Sequence, residues 1–295
     1  MPLTLPRLRL FSHTKCNDGM KEVWGIYRAT EFSPNSVEKD KAIMDAVAQR
    51  LQQRGCHVVL LTEGDLTARL TAAAVWPQLV VSMGRRQHTL QLLEQLHAQG
   101  VAVVNVPQAV AACSRSGLDS LMRRHHLPAA PMQGDHGYWV KRGDEAAQCK
   151  ADVVYAANDE ALERCKADFV RRGVADVVVT AHVVGDLVKF YGVRGTGFFK
   201  IFYPGDDGES KFGDEQINGQ AHHYPFAVED MARDAETLAA LTGLDIYGGD
   251  SIVRADGSHC IIDFNDWPSF SRCREDAADA IARCVLAGLQ PSDKS

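Results

Sequence analysis

Apolar runs alternate with helical spacings over the first hundred residues. HVVLLT (57–62), LVVSMG (79–84) and VAVVNVP (101–107) are short, rich in β-branched residues and bounded by turn signals, and read as buried strands. Val37, Ile43, Val47 and Leu51 recur at helical spacing over 36–54, which ends at Gly55. Leu66–Ala74 predicts a short helix and Arg86–Ala98 a longer one, closed by Gly100. Earlier still, RLRLFS (7–12) reads as a strand. A second, around Val23–Tyr27, sits in the polar stretch 13–35, broken by Asn17-Asp18-Gly19 and Ser33-Pro34-Asn35. Strand and helix in alternation imply a parallel sheet with helices on both faces. No G-x-G-x-x-G follows a strand, so a dinucleotide site is not supported. A ligand of such a sheet would sit at the strands' carboxyl ends, near Ser82-Met83-Gly84 and Asn105-Val106-Pro107.

The pattern then changes. Two short helices, AVAACSR and LDSLMRRHHL, fill 108–127 ahead of Pro128 and Pro131. YWVKRGD (138–144) and DVVYA (152–156) read as strands, and Asp159–Arg172 as a helix capped by Asn158 or Asp159. GDLVKFYGV (185–193) and FFKIFYP (198–204) are further strands, followed by a Gly- and Asp-rich loop over 205–222 that is long enough to be functional. Val228–Leu241 predicts a helix, and 271–289 the last one, with Ser271 as its cap and a frayed tail after it.

Between those two helices lie two short strands, YGGDSIVR (247–254) and HCIIDFN (259–265), joined at Asp256-Gly257, the signal for a two-residue hairpin turn. That centre pairs residues summing to 513 and sets Asp250 opposite Asp263, with Asn265 on the same face. Opposed like charges destabilise a hairpin, and a divalent cation turns the cost into a site. Two carboxylates and an amide oxygen suit Mg²⁺. The bland alternative is a solvated polar face, since Asp is common beside turns. Against it stands the position of Asp263, directly after the apolar run Cys260-Ile261-Ile262.

Three lysines stand inside predicted strands. Lys141 follows Trp139-Val140, Lys189 lies among apolar residues, and Lys200 lies between aromatics. A strand-interior lysine is disfavoured unless its ammonium meets an anion. Lys189 and Lys200 converging on one face would make a phosphate-binding site; snorkelling along an edge strand is the alternative.

The chain has 295 residues, enough for two to three domain-sized units, and a net charge of −6. No basic stripe suggests nucleic acid, and no apolar run approaches the ~20 residues of a membrane span. The clusters Arg123-Arg124 and Arg171-Arg172 read as helix ends. Eight cysteines without C-x-x-C spacing and an opening LTLPRLRLF unlike a signal peptide point to free thiols in the cytoplasm.

Asp250 followed by Ile261-Ile262-Asp263-Phe264-Asn265-Asp266-Trp267-Pro268-Ser269-Phe270 resembles the end of an ATP-grasp domain, where an acid on one strand and an acid-x-Asn on the next hold Mg·ATP. The usual Glu-x-Asn and small-Pro-Gly turn are replaced by Asp263-x-Asn265 and Trp267-Pro268-Ser269-Phe270, a form similar to the inositol polyphosphate kinase branch; GDLVKFYGV resembles the basic strand of the RimK-like ligases. The resemblance implies an α/β fold: a Rossmann-like parallel domain (1–107), a helical linker (108–135), a central ATP-grasp lobe (136–182) and a C-terminal lobe with the metal hairpin (183–295). It implies ATP and Mg²⁺ as cofactors. Lys141 and Arg115 would reach the nucleotide phosphates, Arg115 having a helix C-terminal cation as its structural alternative. Val178, Val179, Thr180 and Ala181 would form the adenine linker, and Lys189 and Lys200 would act on phosphate in catalysis. His182, Asn218 and Ser269 fall to the substrate side, Asn218 where the ligases carry a nucleotide-proximal asparagine. An acid in the hinge is absent and the glycine loop after Lys141 keeps only Gly143.

The first expectation for function is a carboxylate–amine ligase working through an acyl phosphate. The second is a kinase for a polyol or inositol phosphate, and the third a degenerate ATP-binding module. The expected partner is an anionic small-molecule acceptor, with no nucleic acid and no membrane; a homo-oligomer stays an open option.

Overall fold

The alternation of the first hundred residues folds as four parallel strands. The computed structural model describes residues 20–73, 76–144, 149–206 and 217–289. The strand expected at 7–12, residues 145–148 after the glycine loop, most of the loop 205–222 and the tail from 290 lie outside them.

β1 (Lys21–Ile26), β2 (Cys56–Leu61), β3 (Leu79–Ser82) and β4 (Ala102–Val104) form a sheet in the order β2-β1-β3-β4. The helices between them are α1 (Val37–Gln53), α2 (Leu66–Ala72) and α3 (Gln87–Ala98). The helical spacing of α1 becomes a buried stripe, Ile43, Met44, Val47, Ala48 and Leu51. β4 is shorter than its apolar run. It stops before Asn105, whose side chain leaves the sheet to donate to Ile246 O and accept from the amides of Asp245 and Ile246, all at 2.8 Å.

α4 (Pro107–Ala112) and α5 (Arg115–Arg124) form the linker. A second sheet, in the order β6-β5-β7, comprises β5 (Tyr138–Arg142), β6 (Val153–Ala156) and β7 (Val177–Ala181). It is antiparallel, and Val140 packs with Leu162 and Phe169 of α6 (Asp159–Arg171), which Asn158 caps by accepting from Ala161 N at 2.9 Å. The third sheet, order β11-β10-β8-β9, contains β8 (Asp186–Val193), β9 (Phe198–Phe202), β10 (Ile246–Val253) and β11 (His259–Asp266).

Period-two alternation gives this third sheet two faces. Val188, Phe190, Tyr247 and Phe264 pack on α7 (Val228–Thr242) through Met231, Ala235 and Leu238. Val193 and Ile246 face α8 (Arg274–Ala287) and share one core with α1, Val23 and Val81, so the parallel sheet and the C-terminal lobe are packed together. Cys273 stands at the N-cap of α8 without a side-chain cap bond, correcting the assignment of Ser271 as its cap. The linker backbone stitches the two antiparallel sheets: Ile261 N donates to Pro128 O and Ala181 N to Pro131 O, both at 2.7 Å. Among the described residues, no helix is long and apolar enough to cross a membrane.

Candidate active site

The hairpin turn is longer than expected, and a bulge compensates. Gly257 N donates to Arg254 O and Arg254 N to Ser258 O, with Gly257 at φ +81°, a three-residue loop rather than the two-residue turn predicted. The strands therefore leave the turn paired one residue out of the expected register, Val253 with His259 and Ser251 with Ile261. Ile262 is the extra residue, and beyond it Asp250 stands opposite Asp263. The bulge also gives Lys141 its partner: Lys141 Nζ donates to Ile262 O at 2.8 Å.

A row of side chains crosses the sheet at this level, Phe202, Lys189, Asp250 and Asp263, each opposite the next. Lys189 Nζ donates to both Asp250 oxygens, at 3.0 and 3.2 Å. Asn265 Nδ2 donates to Asp263 at 3.1 Å, and Arg115 Nε lies 3.9 Å from its other oxygen. Burial pushes the Asp263 carboxyl up, but Arg115, Lys141 and the Asn265 bond outweigh it and hold the group below the usual carboxylate range. Burial holds the Lys141 ammonium below its ordinary value, with Asp263 pulling the other way.

Arg115 corrects an expectation. It opens α5 instead of ending the helix before it, because Ser114 is an N-cap, its Oγ accepting from Gly117 N. A cation at a helix N-terminus opposes the dipole, so the reading as a dipole-stabilising C-terminal cation falls away. Its guanidinium instead reaches Arg142 O and Asp263.

Lys141 and Val178 are opposite each other, as are Trp139 and Thr180, so all four share one face of the second sheet. With Arg115, Ile262 and Asp263, residues Lys141, Val178 and Thr180 line the cleft between the two antiparallel sheets. Its free volume of about 30 Å³ suits a few water molecules. The expected linker Val178–Ala181 is the edge strand β7; the Ala181 and His182 amides are already taken by Pro131 O and Gly137 O, while alternation turns the Val179 amide and carbonyl to the open edge.

Other predicted residues do not meet at the acids. Lys200 pairs with Tyr191, is exposed and lines a separate groove with Asp276, Asp279 and Arg283. Asn218 donates to the carbonyls of Val183 and Gly185, clasping the loop to the chain between β7 and β8. His182 accepts from Trp139 Nε1 at 3.1 Å, and burial, with His136 nearby, lowers its pKa. Ser269 is half-buried in the turn after Asp266. That turn holds Trp267 and Phe270 at φ +42° and +50°, both fully buried. A side chain at Gly248 would strike Pro268, 2.7 Å away, which fixes glycine there.

Sequence reasoning missed a second charged cluster just beyond Asn265. Asp266 is 3% exposed and is gripped by Arg85 through both side chain and backbone. Arg28 donates to Trp267 O at 2.9 Å and to Asp40 at 3.2 Å, and lies 3.7 Å from Asp266 Oδ2. Glu63 fixes the loops bearing these arginines by accepting from the amides of Ala29, Arg85 and Arg86. The only local signal is the odd string Asn-Asp-Trp-Pro-Ser-Phe; the arginines lie 181 and 238 residues away in sequence.

The donor set fits a small hard dication. Asp250 and Asp263 are opposed in register, 26% and 25% exposed at their side chains, and Asn265 adds an amide oxygen on the same face. Among the described residues no group of three or more His, Cys, Asp or Glu could hold a metal ion. A parallel sheet joined by a linker to two antiparallel sheets has counterparts among solved structures. D-alanyl-alanine synthetase A from Vibrio cholerae aligns with a TM-score of 0.65 and 12% identity, covering 92% of this chain and 98% of that one. This chain has the ATP-grasp fold. A RimK domain ATP-grasp protein from Sphaerobacter thermophilus aligns at TM-score 0.61 and 16% identity, over 90% and 99% of the two chains. The ATP-grasp ligase PsnB, solved with a phosphomimetic variant of a minimal precursor, Mg and ADP, aligns at 0.60 and 14%, over 91% and 98%. No protein-family model and no curated protein matches the sequence.

Proposed function

We propose that this ATP-grasp chain is a Mg²⁺- and ATP-dependent carboxylate–amine ligase acting through an acyl phosphate. The observation that carries the reading is the opposed pair Asp250 and Asp263, flanked by Lys189 on one side and by Lys141 and Arg115 on the other. Asp250, Asp263 and Asn265 would hold Mg²⁺, which supplies charge neutralisation at the phosphate oxygens. Lys141 and Arg115, in the cleft beside Val178 and Thr180, bind the nucleotide phosphates. Lys189 exchanges Asp250 for the transferring phosphoryl group. An acceptor carboxylate oxygen attacks the γ-phosphorus, the bond to the bridging oxygen breaks, and ADP departs. The amine then attacks the acyl carbon, phosphate leaves with the carbon–oxygen electron pair, and the amine's proton passes to water. Positioned cations carry this chemistry without a protein nucleophile.

Structural neighbours named as a synthetase and as an ATP-grasp ligase support this reading. The Asp263-x-Asn265 variant and its Trp-Pro turn favour a second, a kinase acting on a hydroxyl. Product analysis separates them. A ligase releases ADP and free phosphate only when acid and amine are both present; a kinase forms ADP without free phosphate. ATP bound but never turned over across acceptor panels would leave only a nucleotide-binding module.

A further inference from the structure

The acids that would hold Mg²⁺ already answer to donors of their own chain. Lys189 Nζ donates to Asp250 Oδ1 at 3.0 Å and to Oδ2 at 3.2 Å, so one ammonium spans both oxygens of that carboxylate. Asn265 turns its Nδ2 to Asp263 Oδ2 at 3.1 Å, offering an N–H where a cation needs the amide oxygen. Three of the four carboxylate oxygens of the opposed pair thus accept from N–H donors. Arg115 Nε lies 3.9 Å from the fourth. The sheet sets these meetings, since Lys189 is opposite Asp250 and Asp250 is opposite Asp263.

A Mg²⁺ ion sits about 2.1 Å from a carboxylate oxygen. Bound to Asp250 Oδ1 with the ammonium in place, it would stand no more than about 5 Å from Nζ, which is 3.0 Å from the same atom. The side chains of Lys189 and Asp250 are each 26% exposed, so water screens that repulsion only in part. Metal and ammonium therefore compete for one carboxylate. A second anion within reach of the flexible lysine stem decides the competition. A triphosphate is such an anion: its oxygens take the ammonium in a charge-assisted bond and release Asp250 to the metal. We propose that Lys189 makes this site selective for the metal–nucleotide pair over the free dication. Lys189 holds Asp250 until phosphate oxygens replace the carboxylate, and Mg²⁺ enters with the nucleotide, not ahead of it. This rests on the Mg·ATP reading above and is independent of whether the acceptor is an acid or a hydroxyl.

The test is calorimetric titration of the full chain with Mg²⁺ alone, in the absence of nucleotide. Lys189→Met removes the competitor and should bind Mg²⁺ about tenfold or more tighter than wild type, the worth of one charge-assisted hydrogen bond. Lys189→Arg keeps a cation on Asp250 and should stay within about threefold of wild type. Adding Asp250→Asn to Lys189→Met should abolish the gain, which places it at this carboxylate. Lys189→Met binding Mg²⁺ no tighter than wild type would overturn the proposal, as would a gain that survives Asp250→Asn. If Lys189→Met melts early, Lys189→Gln, which also lacks the charge, is read in its place by the same criteria. Failure of wild type to bind a non-hydrolysable ATP analogue at any Mg²⁺ concentration would instead remove the Mg·ATP reading on which the proposal stands.

Discussion

Asp263 and Asp266 lie on one strand, both are faced by arginines, and both titrate below the ordinary carboxylate range although burial pushes each up. They differ in what can reach them. A quarter of the Asp263 side chain is exposed, its arginine lies at 3.9 Å, and its neighbours are cations that can turn to another anion. Asp266 is 3% exposed and committed to Arg85 and Arg28, which are themselves tied to the loops after β3 and β1. The first arrangement can exchange partners for a metal and phosphates. The second can only hold, and what it holds is the end of the strand that carries Asn265. Two carboxylates of like charge, both held below the ordinary range, thus differ in access, one open as a candidate site and the other closed as scaffold.

The largest effect expected is on the scaffold. Asp266→Asn leaves two buried guanidiniums short of a countercharge and should cost about 3–5 kcal/mol of stability, read as a lower denaturation midpoint. An unchanged midpoint would erase the distinction. Next comes the open cluster. Lys141→Met should raise the KM for ATP about tenfold or more while sparing the melting temperature, with Lys200→Met, in its separate groove, as the control within about twofold. Equal effects of the two would place the phosphates elsewhere. The smallest effect is on acid stability. Both carboxyls have folded-state values depressed from about 3.9, so below that value the unfolded chain binds more protons than the folded one. The stabilisation is therefore complete above pH ~4 and is lost as pH falls through the folded values. Urea midpoints taken across this window should fall less steeply with acid in Asp266→Asn than in wild type; parallel slopes would contradict the assignment.

Much of the hairpin was legible because strand geometry is local. A period of two and an Asp-Gly turn sufficed to oppose Asp250 and Asp263. The true loop is one residue longer than assumed, and the Ile262 bulge restores the pairing, so a correct opposition came from an incomplete register. Lys141 was legible as a lysine in an apolar strand, but its partner, the carbonyl of the bulged residue, was not. Arg115 reads in sequence as the end of the first linker helix, whereas the Ser114 cap makes it the first residue of α5. Lys189 and Lys200 look alike in sequence; only the pairing of β8 with β9 sends one to the acids and the other to the groove beside α8. The Asp266 clamp was out of reach, since it joins loops that meet only when the parallel sheet docks on the C-terminal lobe.

The most direct measurement is ATP binding to wild type and to Asp263→Asn, with and without Mg²⁺, each checked by thermal melting. Wild type is expected to need Mg²⁺ for tight binding, and Asp263→Asn to lose that Mg²⁺-dependent gain, about a hundredfold or more, while melting close to wild type. Full Mg²⁺-dependent binding by Asp263→Asn would contradict the hairpin as the metal-holding wall of the cleft.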